Sequence, residues 1–156
     1  MNPPELASAA VLTVLLAALA VSDARRYVLP DVLNLALAVC GFVSTALLRP
    51  DVLPDAAIGC LAGFAAFAGI AAAYRRLRGR DGLGLGDAKL MGAAGAWVGW
   101  QGLSSVVLIG AFAALAATLA MAKLRGETVH AATRVPLGIF LALGLWITWM
   151  FGPLTA

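Results

Sequence analysis

An all-α, polytopic membrane bundle of about six transmembrane helices is the fold class this sequence predicts, and three observations predict it. Hydrophobic residues make up 62% of the 156-residue chain and charged residues only 12%. A soluble domain of this length cannot bury that much apolar surface. The apolar residues fall in charge-free runs close to the roughly 20 residues that a spanning helix needs. Basic residues, finally, occupy every second connection between those runs. Such a chain has room for one membrane-embedded domain, residues 1–156, and no second soluble one.

The runs define the elements in order. Leu6–Ser22 is the first span, Val32–Leu48 the second and Ala56–Tyr74 the third. The stretch Leu90–Ala122 is too long for one helix, and Trp100-Gln101-Gly102 offers a break. This gives a short fourth span, about Gly86–Gly99, and a fifth, about Leu103–Ala122; Val135–Phe151 is the sixth. Helices are expected because a segment in lipid must satisfy its own peptide groups. The first run ends near Ala18-Leu19-Ala20, which resembles a signal cleavage site. No Lys or Arg precedes it, so it is read as a retained span.

Orientation follows from the basic residues. Arg25 and Arg26 lie between spans one and two, four arginines from Arg75 to Arg80 between three and four, and Lys123, Arg125 and Arg134 between five and six. The alternate connections hold only Arg49, beside Asp51 and Asp55. The basic loops are therefore expected to face the cytoplasm and both termini to face away from it. Orientation in the lipid bilayer accounts for the net charge of +3, and no nucleic-acid partner is implied.

Several features carry no chemistry. Cys40 and Cys60 lie in separate spans, form no C-x-x-C pair and read as small packing residues. Gly59 with Gly63, and Gly95 with Gly99, have the four-residue spacing that lets helix backbones approach. The glycine-rich run Gly82–Gly86 lacks the G-x-x-x-x-G-K-[ST] pattern of a phosphate loop. His130, the one histidine, reads as a solvated loop residue.

The acids are more informative. Glu5, Asp51 and Asp55 fall near the external segments, and Asp81 and Glu127 in cytoplasmic loops. Asp31 opens span two, where an acid caps a helix or complements its dipole. Asp23 closes span one and Asp87 opens span four, on the same side of the expected topology. An ionisable residue at the edge of a span is costly and suggests function. Helix capping by Asp87 and pairing of Asp23 with Arg26 are the plainer readings of each alone. Together, two carboxylates on different helices can share one proton and activate a water between them. That chemistry needs no metal and no cofactor. Gly84 and Gly86 before Asp87 keep side-chain bulk away and permit backbone angles closed to other residues. A fourth span of about 14 residues is too short to cross fully, so its start lies at the interface or in a recess open to water.

These residues resemble the type IV prepilin peptidases, a family of G-x-G-D intramembrane aspartyl proteases. Gly84–Asp87, within "GLGDAKLMGAAGAWVGW", fits the family's G-x-G-D-x-K-L. Upstream, "DARRYVLPDVLN" resembles its D-x-R-x-x-x-I-P-N, and "RVPLGIFLALG", Arg134–Gly144, resembles its P-F-G-P-F-L-A-L-G. Asp31 stands where Asn is common, and Leu137 and Ile139 replace a Phe and a Pro. The resemblance implies Asp23 and Asp87 as catalytic, with Gly84, Gly86, Lys89, Arg25, Pro30, Pro136 and Gly138 as positioning or supporting residues. It implies a prepilin or pilin-like secretion subunit as substrate, with a basic leader, a Gly and then an apolar helix, cut after the Gly at the cytoplasmic face. Lys89 would bias the acids, meet a substrate carbonyl or reach a lipid headgroup. The chain passes from its first span straight to Asp23 without the cysteine-rich domain of many members. It thus resembles the short catalytic form, and methylation of the new amino terminus is not expected. The alternatives are a proton-coupled transporter, against which the absence of symmetry between the halves speaks, and a non-catalytic pilus or secretion assembly subunit.

Overall fold

The computed structural model of the protein describes residues 2–79, 83–125 and 136–154. The expectations for Arg80, Asp81, Gly82, Glu127, His130, Arg134 and the start of the last span at Val135 lie outside the described residues. Five α-helices form: α1 (Pro3–Arg26), α2 (Asp31–Leu48), α3 (Leu53–Arg78), α4 (Leu85–Arg125) and α5 (Leu137–Phe151), with a short 3-10 turn, Pro50–Val52, before α3. Four of these are long and apolar enough to cross a membrane, and α5 is a shorter apolar helix. The protein is an all-helical, polytopic membrane protein.

The 41-residue α4 is not one rod. Gly99, with φ 67° and ψ −178°, interrupts it. Only glycine adopts such angles readily. The contacts on either side give the direction of each half. Gly63 packs on Met91 and Gly59 on Gly95, so the first half runs antiparallel to α3. Gly102 lies against Thr148, and Gly110 against Phe140 and Leu141, so the second half runs antiparallel to α5. Because α5 in turn runs antiparallel to α1, with Trp146 donating to the Thr13 hydroxyl (2.9 Å) and Ile139 meeting Asp23, the two halves of α4 run in opposite directions. Six helical segments result. The expected break at Trp100-Gln101-Gly102 is displaced to Gly99, because Trp100 and Gln101 are helical and serve as anchors. The Trp100 indole N–H donates to Asp55 Oδ1 and the Gln101 amide to Asp55 Oδ2, both at 3.1 Å.

Small residues make the α3–α4 contact intimate. A Cβ on Gly95 would overlap the Gly59 peptide, and one on Gly63 would overlap the Met91 carbonyl. With no hydrophobic force between helices in lipid, such close packing and interhelical hydrogen bonds hold the bundle. Gly99 closes this stripe, since a Cβ on Gly59 would overlap its carbonyl carbon, and it also turns the chain. Along α2, Asn34, Leu37, Gly41, Ser44 and Thr45 are buried at helical spacing. Two cross-links fix this face on α4: the Trp97 indole N–H donates to the Leu37 carbonyl (2.8 Å), and the Thr45 hydroxyl to the Ala96 carbonyl (2.9 Å). Trp97 also meets Trp149 of α5 edge-on, 5.9 Å between centroids, a favourable aromatic geometry. Cys40 and Cys60 are free thiols, each partly buried.

One end of the bundle gathers the C-termini of α1, α3 and the second half of α4 with the N-termini of α2, α4 and α5. Arg25, Arg26, Arg75, Arg76, Arg78 and Lys123 all belong to that end. Asn2 and Leu154, the outermost described residues, lie at the other.

Candidate active site

The gathered end is built around two helix N-termini and one hairpin. α1 stops at Tyr27, whose left-handed angles (φ 52°, ψ 34°) are uncommon for a residue other than glycine. The Tyr27 N–H donates to the Asp23 carbonyl (2.9 Å), and the Ser22 hydroxyl donates to the Val28 carbonyl (2.8 Å). This pinned turn directs Leu29 inward, where it is buried. Pro30 then caps α2, its carbonyl accepting from the N–H groups of Leu33 and Asn34, each at 3.1 Å.

Asp23 is 6% exposed. Its carboxylate reaches across to the start of α5, where Oδ2 accepts the Ile139 N–H at 3.2 Å and the Gly138 backbone adds a second hydrogen bond. The first N–H groups of a helix lack partners within it and attract negative charge. Asp23 thus caps a helix whose bonded residue is 116 positions away in sequence. Pro136 opens α5 as its N-cap, and Gly138 leaves the room: a Cβ there would stand 2.8 Å from Asp23 Oδ2. Asp23 forms no ion pair with Arg26 among the described residues; Arg25 and Arg26 are exposed on the last turn of α1.

Asp87 is the third residue of α4. Its carboxylate bonds back to the Gly84 backbone while its own N–H donates to the Gly84 carbonyl (3.1 Å), the acid's half of a capping box. A Cβ on Gly84 would lie 3.5 Å from Asp87 Oδ2. On Gly86 it would lie 3.0 Å from the Leu29 Cβ. Glycine is therefore used at both positions for space. The expected unusual backbone angles are absent, because Gly86 is within the first helical turn and positive φ among the described glycines is confined to Gly79, Gly99 and Gly152.

Leu29 joins the two halves. Its side chain lies against Gly86 on α4 and, through Cδ1, 3.0 Å from where a Gly138 Cβ would sit on α5. The Asp23 carboxylate lies within electrostatic reach of Asp87. Lys89, by contrast, turns to α2: its ammonium pairs with Asp31 Oδ1 at 2.6 Å. It ties the starts of α2 and α4 together. Of the sequence-derived site residues, the structure brings Asp23, Asp87, Gly84, Gly86, Pro136 and Gly138 to one end, with Pro30 and Lys89 beside them and Arg25 facing outward. Leu29, the wedge, was missed; a leucine in a loop between two spans carries no distinguishing signal. The Asp31–Lys89 pair was missed too, since partners 58 residues apart are not legible from spacing.

Residues 10–119 match the family model described as Type IV leader peptidase family. Relatives include a prepilin leader peptidase/N-methyltransferase of Aeromonas salmonicida (strain A449), 35% identical over 145 residues, which are 93% of this chain and 49% of the relative. One of the same name from Dickeya chrysanthemi is 39% identical over 130 residues, 83% of this chain and 43% of the relative. Leader peptidase HopD of Escherichia coli is 36% identical over 128 residues, 81% of this chain and 82% of the relative. The chain spans about half the length of the first two and most of the third. No solved structure matches it.

Proposed function

Since the chain belongs to the type IV leader peptidase family, we propose that it is an aspartic endopeptidase that removes the basic leader of prepilins or pilin-like secretion subunits. It works in a bacterial inner membrane, cutting after a Gly at the cytoplasmic face with Asp23, Asp87 and water. The observation that carries this reading is the convergence of two acids from opposite halves of the chain at the basic end of the bundle, each held by the N-terminus of a different helix.

The chemistry follows from a shared proton. Two close carboxylates do not both ionise easily, so one holds a proton and the other does not. The ionised acid takes a proton from water as the water oxygen bonds to the peptide carbonyl carbon. The protonated acid donates to the carbonyl oxygen. Collapse breaks the C–N bond, and the leaving nitrogen takes up a proton from the pair. The products are the free leader carboxyl and a new amino terminus. The exposed basic residues near the site face a basic leader, so its approach relies on the apolar substrate helix packing beside the enzyme's spans.

The test is incubation of the detergent-purified protein with a candidate prepilin, with the cut mapped by mass spectrometry. The expected product begins immediately after the leader's Gly. A substrate left intact, or cut elsewhere, overturns the reading. Methylation is outside the proposal.

A further inference from the structure

Asn34 is the anomaly of the core. It is 3% exposed, and neither Oδ1 nor Nδ2 has a hydrogen-bond partner among the described residues. A buried amide left in this state forfeits its hydration without regaining a hydrogen bond. Natural proteins accept that cost where a bound water or a function repays it.

Its position is fixed by two registers. α1 ends at Arg26 and α2 begins at Asp31. They form an antiparallel hairpin, in which Asp23 lies three residues before the turn and Asn34 three residues after it. The two buried polar side chains therefore share a depth. Along α2, Asn34 lies between the exposed Asp31–Lys89 pair and the buried Leu37–Trp97 hydrogen bond. The buried residues of α4 in that interval, Leu90, Met91, Ala93 and Ala94, are apolar and offer no side-chain partner. Side chains on a helix tilt toward its N-terminus, and the N-terminus of α2 is at the end that carries Asp23 and Asp87. Thr148, whose buried hydroxyl also lacks a partner, is at the other end beside Gly102 and does not belong to this group.

We propose that Asn34 holds the attacking water against Asp23, as a third polar group of the candidate active site. The inference rests on the peptidase reading. Asp23 Oδ2 accepts the Ile139 N–H, and the water meets the same carboxylate from the side of α2. Asn34 Oδ1 accepts one O–H of that water, and the other O–H points to Asp23. When Asp23 removes this proton, the oxygen lone pair is directed to the substrate carbonyl carbon. Asn34 neither gains nor loses a proton.

The test compares Asn34→Leu, of similar size but unable to hold water, with Asn34→Ser, which keeps a hydroxyl. Steady-state cleavage of a prepilin-leader reporter and thermal melting are measured on the full chain in detergent. Asn34→Leu should lower kcat roughly 10- to 100-fold, the loss typical of a misplaced reactant, with KM and melting temperature held or the latter raised. Asn34→Ser should recover most of kcat. Should Asn34→Leu not fold, Asn34→Ala replaces it, with the same loss expected. Wild-type kcat in Asn34→Leu or Asn34→Ala overturns the inference while leaving the peptidase intact, as does an equal loss in the serine variant accompanied by a lower melting temperature. Failure of the wild-type protein to cleave any leader would instead overturn the function on which the inference rests.

Discussion

Acids stand at both ends of this bundle, and they are held differently. At one end Asp55 gives both oxygens to side-chain donors, Trp100 and Gln101, and so clamps the start of α3 onto the turn at Gly99. At the other end Asp23 and Asp87 are held by backbone donors at the starts of α5 and α4. A carboxylate whose two oxygens are engaged by fixed side chains works as a fastener. One held by a helix N-terminus on a single edge is oriented yet keeps an oxygen for chemistry. On the proposed mechanism, the same residue type serves architecture at one pole and reactivity at the other.

The comparison breaks most sharply at the reactive pole. Asp23→Asn and Asp87→Asn each preserve shape and an accepting oxygen, so the helix caps survive; cleavage should fall by a factor of at least about 10³, within the range for loss of an acid–base group, while membrane insertion is unchanged. Normal cleavage rates in either purified variant would show that these acids, too, are fasteners. Next in size is Gly138→Ala. Its Cβ would crowd Asp23 Oδ2 at 2.8 Å, and displacement of the carboxylate should cost about 10²-fold in kcat, read in the same assay, with little change in melting. At the architectural pole, Gly99→Ala forces an alanine into angles reserved for glycine, for a loss of stability of about 1–3 kcal/mol. Thermal denaturation should detect it, and the activity of the molecules that remain folded should be unaltered. Smallest is Asp31→Asn. The Asp31–Lys89 pair is largely exposed (73% and 40% of the side chains), and such pairs contribute about 0–1 kcal/mol. A melting shift of a few degrees at most is expected, and a large drop in cleavage would promote Lys89 from a tie to a participant.

What the sequence reveals and conceals follows from range. Hydrophobic run length is a local property, so the spans, the alternation of basic loops and the edge positions of Asp23 and Asp87 could be read directly. The short fourth span, about Gly86–Gly99, was legible for the same reason, although the residues first read as the break lie just beyond its end. Trp100 and Gln101 look like a break because they are bulky or polar in an apolar run, whereas their side chains exist to reach Asp55. Gly99 both admits Gly59 and turns the chain, and spacing discloses only the first of these roles. Leu29 and the Lys89–Asp31 pair acquire their meaning only when α1, α2, α4 and α5 meet. Asn34 went unremarked as one polar residue in the run Val32–Leu48. Its lack of a partner is a property of the assembled bundle.

The reversal at Gly99 has an effect on the surrounding lipid. The first half of α4, residues 85–98, is about 21 Å long at the usual helical rise, against a hydrocarbon layer of about 30 Å. Such a mismatch is relieved where the bilayer dimples toward the shorter segment. On the proposed function, the acids would then stand below the general level of the headgroups, and a polypeptide entering from the water side would reach them with its membrane-embedded helix still wound.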